Sequence, residues 1–361
     1  KKTLFWIGIL YSVSAVGSAL AQDPVSFAVF RFLGGLGIGA STIAAPAYIS
    51  EIAPAKDRGR LVGFYQFMIV FGILIAFLSN YLLEGIGPND WRWMMGVEAF
   101  PALAYTAMVF FVPMSPRWLV SKDRVDEAAS VLQVLGSDLN IDDLVKDHAH
   151  SQSVQGLSES VLDKKYRFPL TLAILLAFFN QFSGINAFLY YAPRIFEAAG
   201  LGASTALLSG IGVGVVNLIF TLIGINLIDR LGRKTLMYWG SFGYIVSLSL
   251  VALAFAGSWG GLWVPIFLFL FIASHAIGQG TVIWVYISEV FPNHLRSSGQ
   301  AWGTSTHWVL AAIIPSMVPV LFTWIGPAPV FGFFALMMGV QLAFVRWMMP
   351  ETKGVPLEEL S

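Results

Sequence analysis

The chain has 361 residues, 57% of them hydrophobic and 12% charged, with 21 Lys and Arg balanced by 21 Asp and Glu. A soluble domain carries about 25% charged residues, so this composition, with a mean hydropathy of +0.72, is that of a protein embedded in lipid. A formal charge of zero leaves no electrostatic footprint for nucleic acid, and the absence of cysteine excludes a disulfide framework and thiolate metal sites.

The chain opens on Lys1-Lys2-Thr3 and runs straight into apolar sequence with no secretory leader, so it reads as starting inside a longer protein. A helix needs about 20 apolar residues to cross a bilayer. Ten stretches qualify: 4–21, 25–49, 61–83, 92–113, 168–191, 203–228, 235–255, 262–288, 300–324 and 327–349. Backbone groups in lipid must be satisfied within their own segment, which predicts ten spanning helices and an all-α membrane fold. Alternate connections hold the basic residues: Lys1-Lys2; Lys56, Arg58 and Arg60; the loop 114–167; Arg230, Arg233 and Lys234; Arg296; and Lys353. The opposite connections, such as 84–90 and 257–261, are short and poor in Lys and Arg. The positive-inside rule therefore puts Lys1, the long loop and the C-terminus in the cytoplasm.

The loop 114–167 is the one sizeable polar segment. Val125, Ala128 and Leu132 stand at helical spacing in a charged stretch that begins at Ser121, which predicts an amphipathic helix on the cytoplasmic face. His148 and His150 in the same loop read as solvated residues, and no metal site or cofactor is expected.

A repeat lies across the chain at a separation of about 230–240 residues. Ser50-Glu51-Ile52-Ala53-Pro54 with Arg58 returns as Ser288-Glu289-Val290-Phe291-Pro292 with Arg296. Lys1-Lys2-Thr3-Leu4 likewise matches Arg233-Lys234-Thr235-Leu236. Superposing the copies leaves 168–191 and 203–228 without counterparts in the first half. That implies twelve spans in two six-helix halves, entered at the third helix. Parallel repeats of this kind hold a substrate between the halves near the bilayer midplane.

Glu51, Arg58, Asp229, Arg230, Arg233, Glu289 and Arg296 all fall at cytoplasmic helix ends. Partly desolvated carboxylate–guanidinium pairs are directional and breakable, and suit a gate. Anchoring at the headgroups is the plainer alternative, but it would not need a repeated Glu-x6-Arg spacing. Inside the spans, amides are costly unless partnered. Gln181 and Asn186, five apart beside a glycine, point to a binding site rather than to contacts between helices, whereas Asn226, nearer the cytoplasmic end, reads as interhelical glue. Gly278-Gln279-Gly280 suggests a flexible point in its span, with close helix packing as the alternative. Gly35-x-x-x-Gly39 fits a tight helix contact, since no strand precedes it to make a nucleotide loop. Arg31 lies within a span and requires a carboxylate partner. His275 reads as a packing hydrogen bond, with a proton relay as the alternative.

Several motifs together resemble the sugar porter family of the major facilitator superfamily. They are Arg31-Phe32-Leu33-Gly34-Gly35, Pro46-Ala47-Tyr48 leading to Ser50-Glu51 and Arg58-Gly59, and Ser115-Pro116-Arg117-Trp118-Leu119. Further along stand Gln181-Phe182-Ser183-Gly184-Ile185-Asn186 with Tyr190-Tyr191, Asp229-Arg230-Leu231-Gly232-Arg233-Lys234, and Pro350-Glu351-Thr352-Lys353-Gly354. They follow the family's order over essentially the whole chain, and the Gln-x-x-Gly-Ile-Asn and Pro-Glu-Thr-Lys-Gly pieces are the specific ones. The resemblance implies a major facilitator fold and a sugar site at Gln66, Asn180, Gln181, Asn186, Asn217, Trp284 and His307. It implies an extracellular gate at Tyr190 and Tyr191, and adds Arg117 and Glu351 to the cytoplasmic gate of Glu51, Arg58, Asp229, Arg233, Glu289 and Arg296. In proton-coupled members Arg31 would face an acidic residue on the first helix. The sequence departs from the family at Met114, where a Glu is usual, and at Asn180, His307 and Ala276, so the particular sugar stays open.

The reading divides the chain into an N-terminal half (1–113), a cytoplasmic loop (114–167), a C-terminal half (168–349) and a tail (350–361). It predicts a carrier for a hexose or pentose working by alternating access, as a proton symporter or a uniporter, in the cell membrane. Its partners would be the sugar, a proton and lipid, and it would work as a monomer. The alternative is a sugar receptor that does not transport. No nucleophile–base pair, metal cluster or phosphate loop suggests an enzyme.

Overall fold

The computed structural model describes residues 1–53, 58–135, 141–146, 160–259, 261–292 and 295–353, and among these leaves the side chains of 50 and 58–63 undescribed. The described residues contain helices and no strand. Nine helical segments among them are long and apolar enough to cross a membrane. The chain forms two compact units, residues 1–69 with 79–158, and residues 70–78 with 159–361.

The first unit is built on α1 (Lys2–Leu20), α2 (Pro24–Ile52) and α3 (Arg58–Leu83). A capping box opens α2: the Asp23 carboxylate accepts from the Val25 and Ser26 backbone N–H groups, and Pro24 occupies the first turn, where its missing donor costs nothing. Arg92 donates to the Ala19 and Ala21 carbonyls at 2.8 and 2.6 Å, satisfying the end of α1. The helix contact expected at Gly35 and Gly39 forms elsewhere. Gly34 and Gly37, one turn apart, are the buried pair, packed on Ser14 and Tyr11 of α1. Gly35 is exposed, and a Cβ at Gly35 or Gly39 would meet nothing within 4 Å among the described residues.

The expected span at 92–113 is divided into α4 (Asp90–Gly96) and α5 (Ala99–Met108), and so does not count among the nine. Pro101 explains the division. It has no N–H for the Val97 carbonyl, which instead accepts from Phe100 at 3.1 Å. Beyond α5 come α6 (Pro116–Val120), whose N-cap Ser115 accepts from Trp118, and α7 (Val125–Val134). Two of the three residues expected on the apolar face, Ala128 and Leu132, are buried with Leu119, Val120 and Leu144, whereas Val125 at the start of α7 is exposed. His148 and His150 lie outside the described residues.

The second unit comprises α8 (Arg167–Phe182), α9 (Ile185–Ala198), α10 (Ala203–Leu231), α11 (Arg233–Ala256), α12 (Trp263–Ile277), α13 (Gln279–Glu289), α14 (Arg296–Ile325) and α15 (Pro327–Trp347). Its buried core is large and aromatic, with Tyr244, Tyr286, Phe188, Phe196, Phe271 and Phe291 fully enclosed. Trp324 and Trp347 stand exposed at the ends of α14 and α15, as amphipathic rings do at a headgroup boundary. The repeat seen in sequence has a local geometric counterpart. Glu51 and Glu289 each fall in the last turn of a helix, while Arg58 and Arg296 each begin the next.

Two spans of this unit break in mid-course. The first breaks between α8 and α9, where Gly184 has φ +80° and a Cβ would lie 2.6 Å from the Phe334 ring. Ser183 serves the loosened backbone, donating to the Asn180 carbonyl at 2.6 Å and accepting from the Ile185 N–H at 3.3 Å. The second breaks at Gly278, between α12 and α13. Here the helix is interrupted, and the alternative of close packing holds, since Gly278 is packed backbone to backbone. A Cβ on Gly278 would lie 2.7 Å from the Gly240 Cα of α11. Neither side of that contact has a side chain that can move aside. Gly278→Ala is therefore expected to destabilise the protein by about 1–3 kcal/mol through overpacking. Thermal unfolding in detergent checks this, and an unchanged midpoint would mean that α11 and α12 separate freely.

Candidate functional site

Both breaks carry amides. Asn180 and Gln181 close α8, Asn186 opens α9 and Gln279 opens α13, and these side chains meet. Asn186 Nδ2 donates to Gln181 Oε1 at 2.9 Å, Gln181 Nε2 to Asn180 Oδ1 at 3.0 Å, and Asn180 Nδ2 to Gln279 Oε1 at 3.3 Å. Gln181 Nε2 also lies 3.1 and 3.2 Å from the two ring nitrogens of His307 on α14. The His307 ring stands 4.9 Å from that of Trp284, centroid to centroid. Asn180, Gln181 and His307 are buried, whereas Asn186 and Trp284 are half-buried. The result is an uncharged polar cluster beside an indole face, inside an apolar bundle. Amides of this kind both donate and accept without the cost of burying charge.

Five of the seven residues expected at the sugar site therefore come together: Asn180, Gln181, Asn186, Trp284 and His307. Asn217 is buried on α10, where its Oδ1 accepts from Thr221 at 3.5 Å, one turn along its own helix. Gln66 is half-buried on α3 and belongs to the first unit. Tyr190 is exposed on α9, and Tyr191 packs against the core. His275 receives or gives a 2.5 Å hydrogen bond to the Tyr244 hydroxyl, which is the packing role the sequence suggested.

Sequence reasoning missed the polar residues behind the cluster. Gln279 Nε2 donates to Gln341 Oε1 at 2.7 Å, and Gln341 Nε2 donates to Ser241 Oγ at 2.7 Å. Gln341, a lone amide in an apolar span, was the available signal.

A second constellation sits at the end of the unit where α10 meets α11. Arg233 grips Glu289 with two bonds, Nε to Oε2 at 3.0 Å and Nη2 to Oε1 at 2.7 Å, and reaches Asp229 at 3.1 Å. Glu351 caps α11, its carboxylate accepting from the Arg233 and Lys234 backbone N–H groups at 2.9 Å each. Gly232, with no side chain, leaves the room that Glu351 fills. Thr352 adds a hydroxyl bond to Glu289 at 2.6 Å. The guanidinium partner of Glu289 is thus Arg233 rather than the Arg296 of the repeated spacing, and the buried Nε of Arg296 has no hydrogen-bond partner among the described residues. Glu51 is half-buried at the end of α2, Arg117 is exposed on α6, and the Arg58 side chain is outside the description.

In the first unit the partner of Arg31 is Glu98, at 3.1 Å, with both side chains about half exposed. Glu98 stands at the α4–α5 break. The resemblance to sugar porters placed that carboxylate on the family's first helix instead.

A family model described as "Sugar (and other) transporter" matches residues 1–361. The putative metabolite transport protein YwtG of Bacillus subtilis strain 168 is 36% identical over 100% of this chain and 79% of its own length. The arabinose-proton symporter of the same organism is 33% identical over 100% of this chain and 80% of its own. Among solved structures, the xylose transporter XylE of Escherichia coli, in a partially occluded inward-open conformation, superposes with a TM-score of 0.85 at 30% identity, covering 98% of this chain and 82% of that one. With its major facilitator fold and its membrane-spanning helices, the chain belongs to the sugar transporter family and is not an enzyme.

Proposed function

We propose that the cluster of Asn180, Gln181, Asn186, Trp284 and His307, with Asn217 on α10, binds a hexose or pentose that the protein carries across the membrane by alternating access; the family resemblance adds Gln66 to the residues that would contact the sugar. The observation that carries this reading is the chain of neutral amides at two helix breaks beside an indole. Sugar hydroxyls donate and accept as amides do, and the apolar face of the ring suits Trp284. Relatives named as an arabinose-proton symporter and a D-xylose-proton symporter support this substrate class. Tyr190 and Tyr191 would close the extracellular side. Glu51, Arg58, Arg117, Asp229, Arg233, Glu289, Arg296 and Glu351 would hold the cytoplasmic side shut. The basic connections and the C-terminus face the cytoplasm in this reading, across the cell membrane, and a monomer suffices.

Proton coupling is assigned to Arg31 with Glu98. The guanidinium stays charged throughout, whereas the carboxylate can take up a proton and release its partner. In proteoliposomes, an inward proton gradient is expected to drive uptake of a labelled hexose or pentose above its equilibrium level. Glu98→Gln should abolish that accumulation and leave sugar counterflow intact. Uptake in the unaltered protein that only equilibrates the sugar, with or without the proton gradient, would make it a uniporter. Absence of counterflow with every sugar of a hexose and pentose panel would remove the carrier reading itself.

A further inference from the structure

We infer that Ser241, reached from the sugar-facing amides only through Gln279 and Gln341, is a positioning residue that fixes the direction in which those amides donate. The inference rests on the reading of Gln181 and Asn186 as sugar contacts. A primary amide is nearly symmetric in shape, so its neighbours decide which end shows oxygen and which shows N–H. Ser241 breaks that symmetry. Its hydroxyl gives its single proton to the Met237 carbonyl at 2.7 Å, and a carbonyl can only accept. Ser241 Oγ is then left only as an acceptor, and Gln341 must turn its Nε2 toward it, at 2.7 Å.

Each further amide follows from the one before. Gln341 shows its oxygen to Gln279 Nε2, Gln279 its oxygen to Asn180 Nδ2, Asn180 its oxygen to Gln181 Nε2, and Gln181 its oxygen to Asn186 Nδ2. Ser241, Gln279 and Gln341 are each 0% exposed, so no solvent competes for these groups. Turning one amide alone would set oxygen against oxygen or N–H against N–H at both of its joints. The chain therefore reverses as a whole or not at all. Its open end is Asn186, which commits one of its two amide N–H groups to Gln181 and leaves Oδ1 as an acceptor. His307 must likewise accept from Gln181. A sugar hydroxyl that reaches Asn186 Oδ1 is thus required to donate.

The prediction is one of specificity, tested with a series of singly fluorinated analogues of the transported sugar. Fluorine replaces a hydroxyl at similar size and cannot donate. At one ring position the fluoro analogue should bind at least about fivefold more weakly than the parent, the cost of about one neutral hydrogen bond. Ser241→Ala and Gln341→Leu cut the chain and should bring that ratio back toward one, whereas Ser241→Thr, which keeps the hydroxyl, should preserve it. A merely structural role would lower thermal stability, or weaken all the sugars alike, and leave the ratio untouched. An unchanged ratio in both cutting variants overturns the inference, as does the lack of any discriminating position in the unaltered protein. Gln181→Ala separates the two levels. If it leaves sugar binding intact, the site reading fails. If it weakens binding while the ratios in the cut variants stay put, only the role of Ser241 fails.

Discussion

Gln181→Ala should weaken sugar binding about 5- to 150-fold while the folded protein survives. Gln181 is the hub of the cluster: it accepts from Asn186, donates to Asn180 and faces the ring nitrogens of His307. Truncation removes the side chain that holds three neighbours in place, and leaves hydroxyls of the bound sugar unmatched in a site with little water. Each such loss costs roughly 1–3 kcal/mol, which sets the range in affinity. The opposing view is that Gln181 only joins α8 to α9 and α14. On that view the variant loses thermal stability and keeps its affinity. Binding of a hexose and pentose panel, with thermal unfolding recorded on the same sample, separates the two. Unchanged affinity would take Gln181 out of the site and put Asn186 in doubt with it.

The second large effect is expected at Arg233. Arg233→Ala leaves Glu289 without its guanidinium and removes the contact to Asp229. The Arg233 side chain is 10% exposed and that of Glu289 26%, so the interaction is neither fully buried nor fully screened. Discounting for that exposure, the loss is about 2–3 kcal/mol, a 30- to 150-fold bias toward the conformation in which this end is open. The chain contains no cysteine. A single cysteine placed near α11 therefore reports accessibility to a membrane-impermeant thiol reagent without background. Arg296→Ala should have a smaller effect, because Glu289 keeps Arg233. Equal labelling of the Arg233 variant and the parent protein would reduce the cluster to headgroup anchors.

These two predictions rest on sequence features of different kinds. The amides at 181 and 186 were legible because a polar group inside an apolar span has few reasons to be there, and Asn180 through the resemblance alone. Nine of the ten expected spans were legible for the complementary reason, a run of apolar residues too long for anything else. The fourth was misjudged as continuous because Pro101 acts through one missing backbone donor, which hydropathy does not register. The partner of Arg31 was missed for another reason, since the resemblance pointed to the first helix and not to Glu98. Glycine spacing also misled: Gly35 and Gly39 fit the small-residue pattern, but the helix turns Gly34 and Gly37 toward α1. Pairings between distant residues were the least legible. The spacing of Glu289 and Arg296 suggested a bond, whereas three-dimensional proximity gives Glu289 to Arg233. Gln341 is a lone amide in an apolar run and Ser241 one of several hydroxyls on its helix, and only the fold reveals that they form one chain with Asn180.

The cap that Glu351 places on α11 has a consequence for how the protein is made. The acceptor for the Arg233 backbone N–H lies 118 positions further along the chain. A polypeptide enters the membrane from its N-terminus as it is synthesised. The first turn of α11 must therefore leave its backbone donors to water or lipid headgroups while α12 to α15 are still being inserted. Thr352, which reaches Glu289, arrives just as late. A nascent chain halted before Pro350 would hold every helix described here, yet its Arg233–Glu289 pair would lack both tail contacts. This end is thus completed only after α15 has been made, by residues more than a hundred positions downstream of the turn they cap.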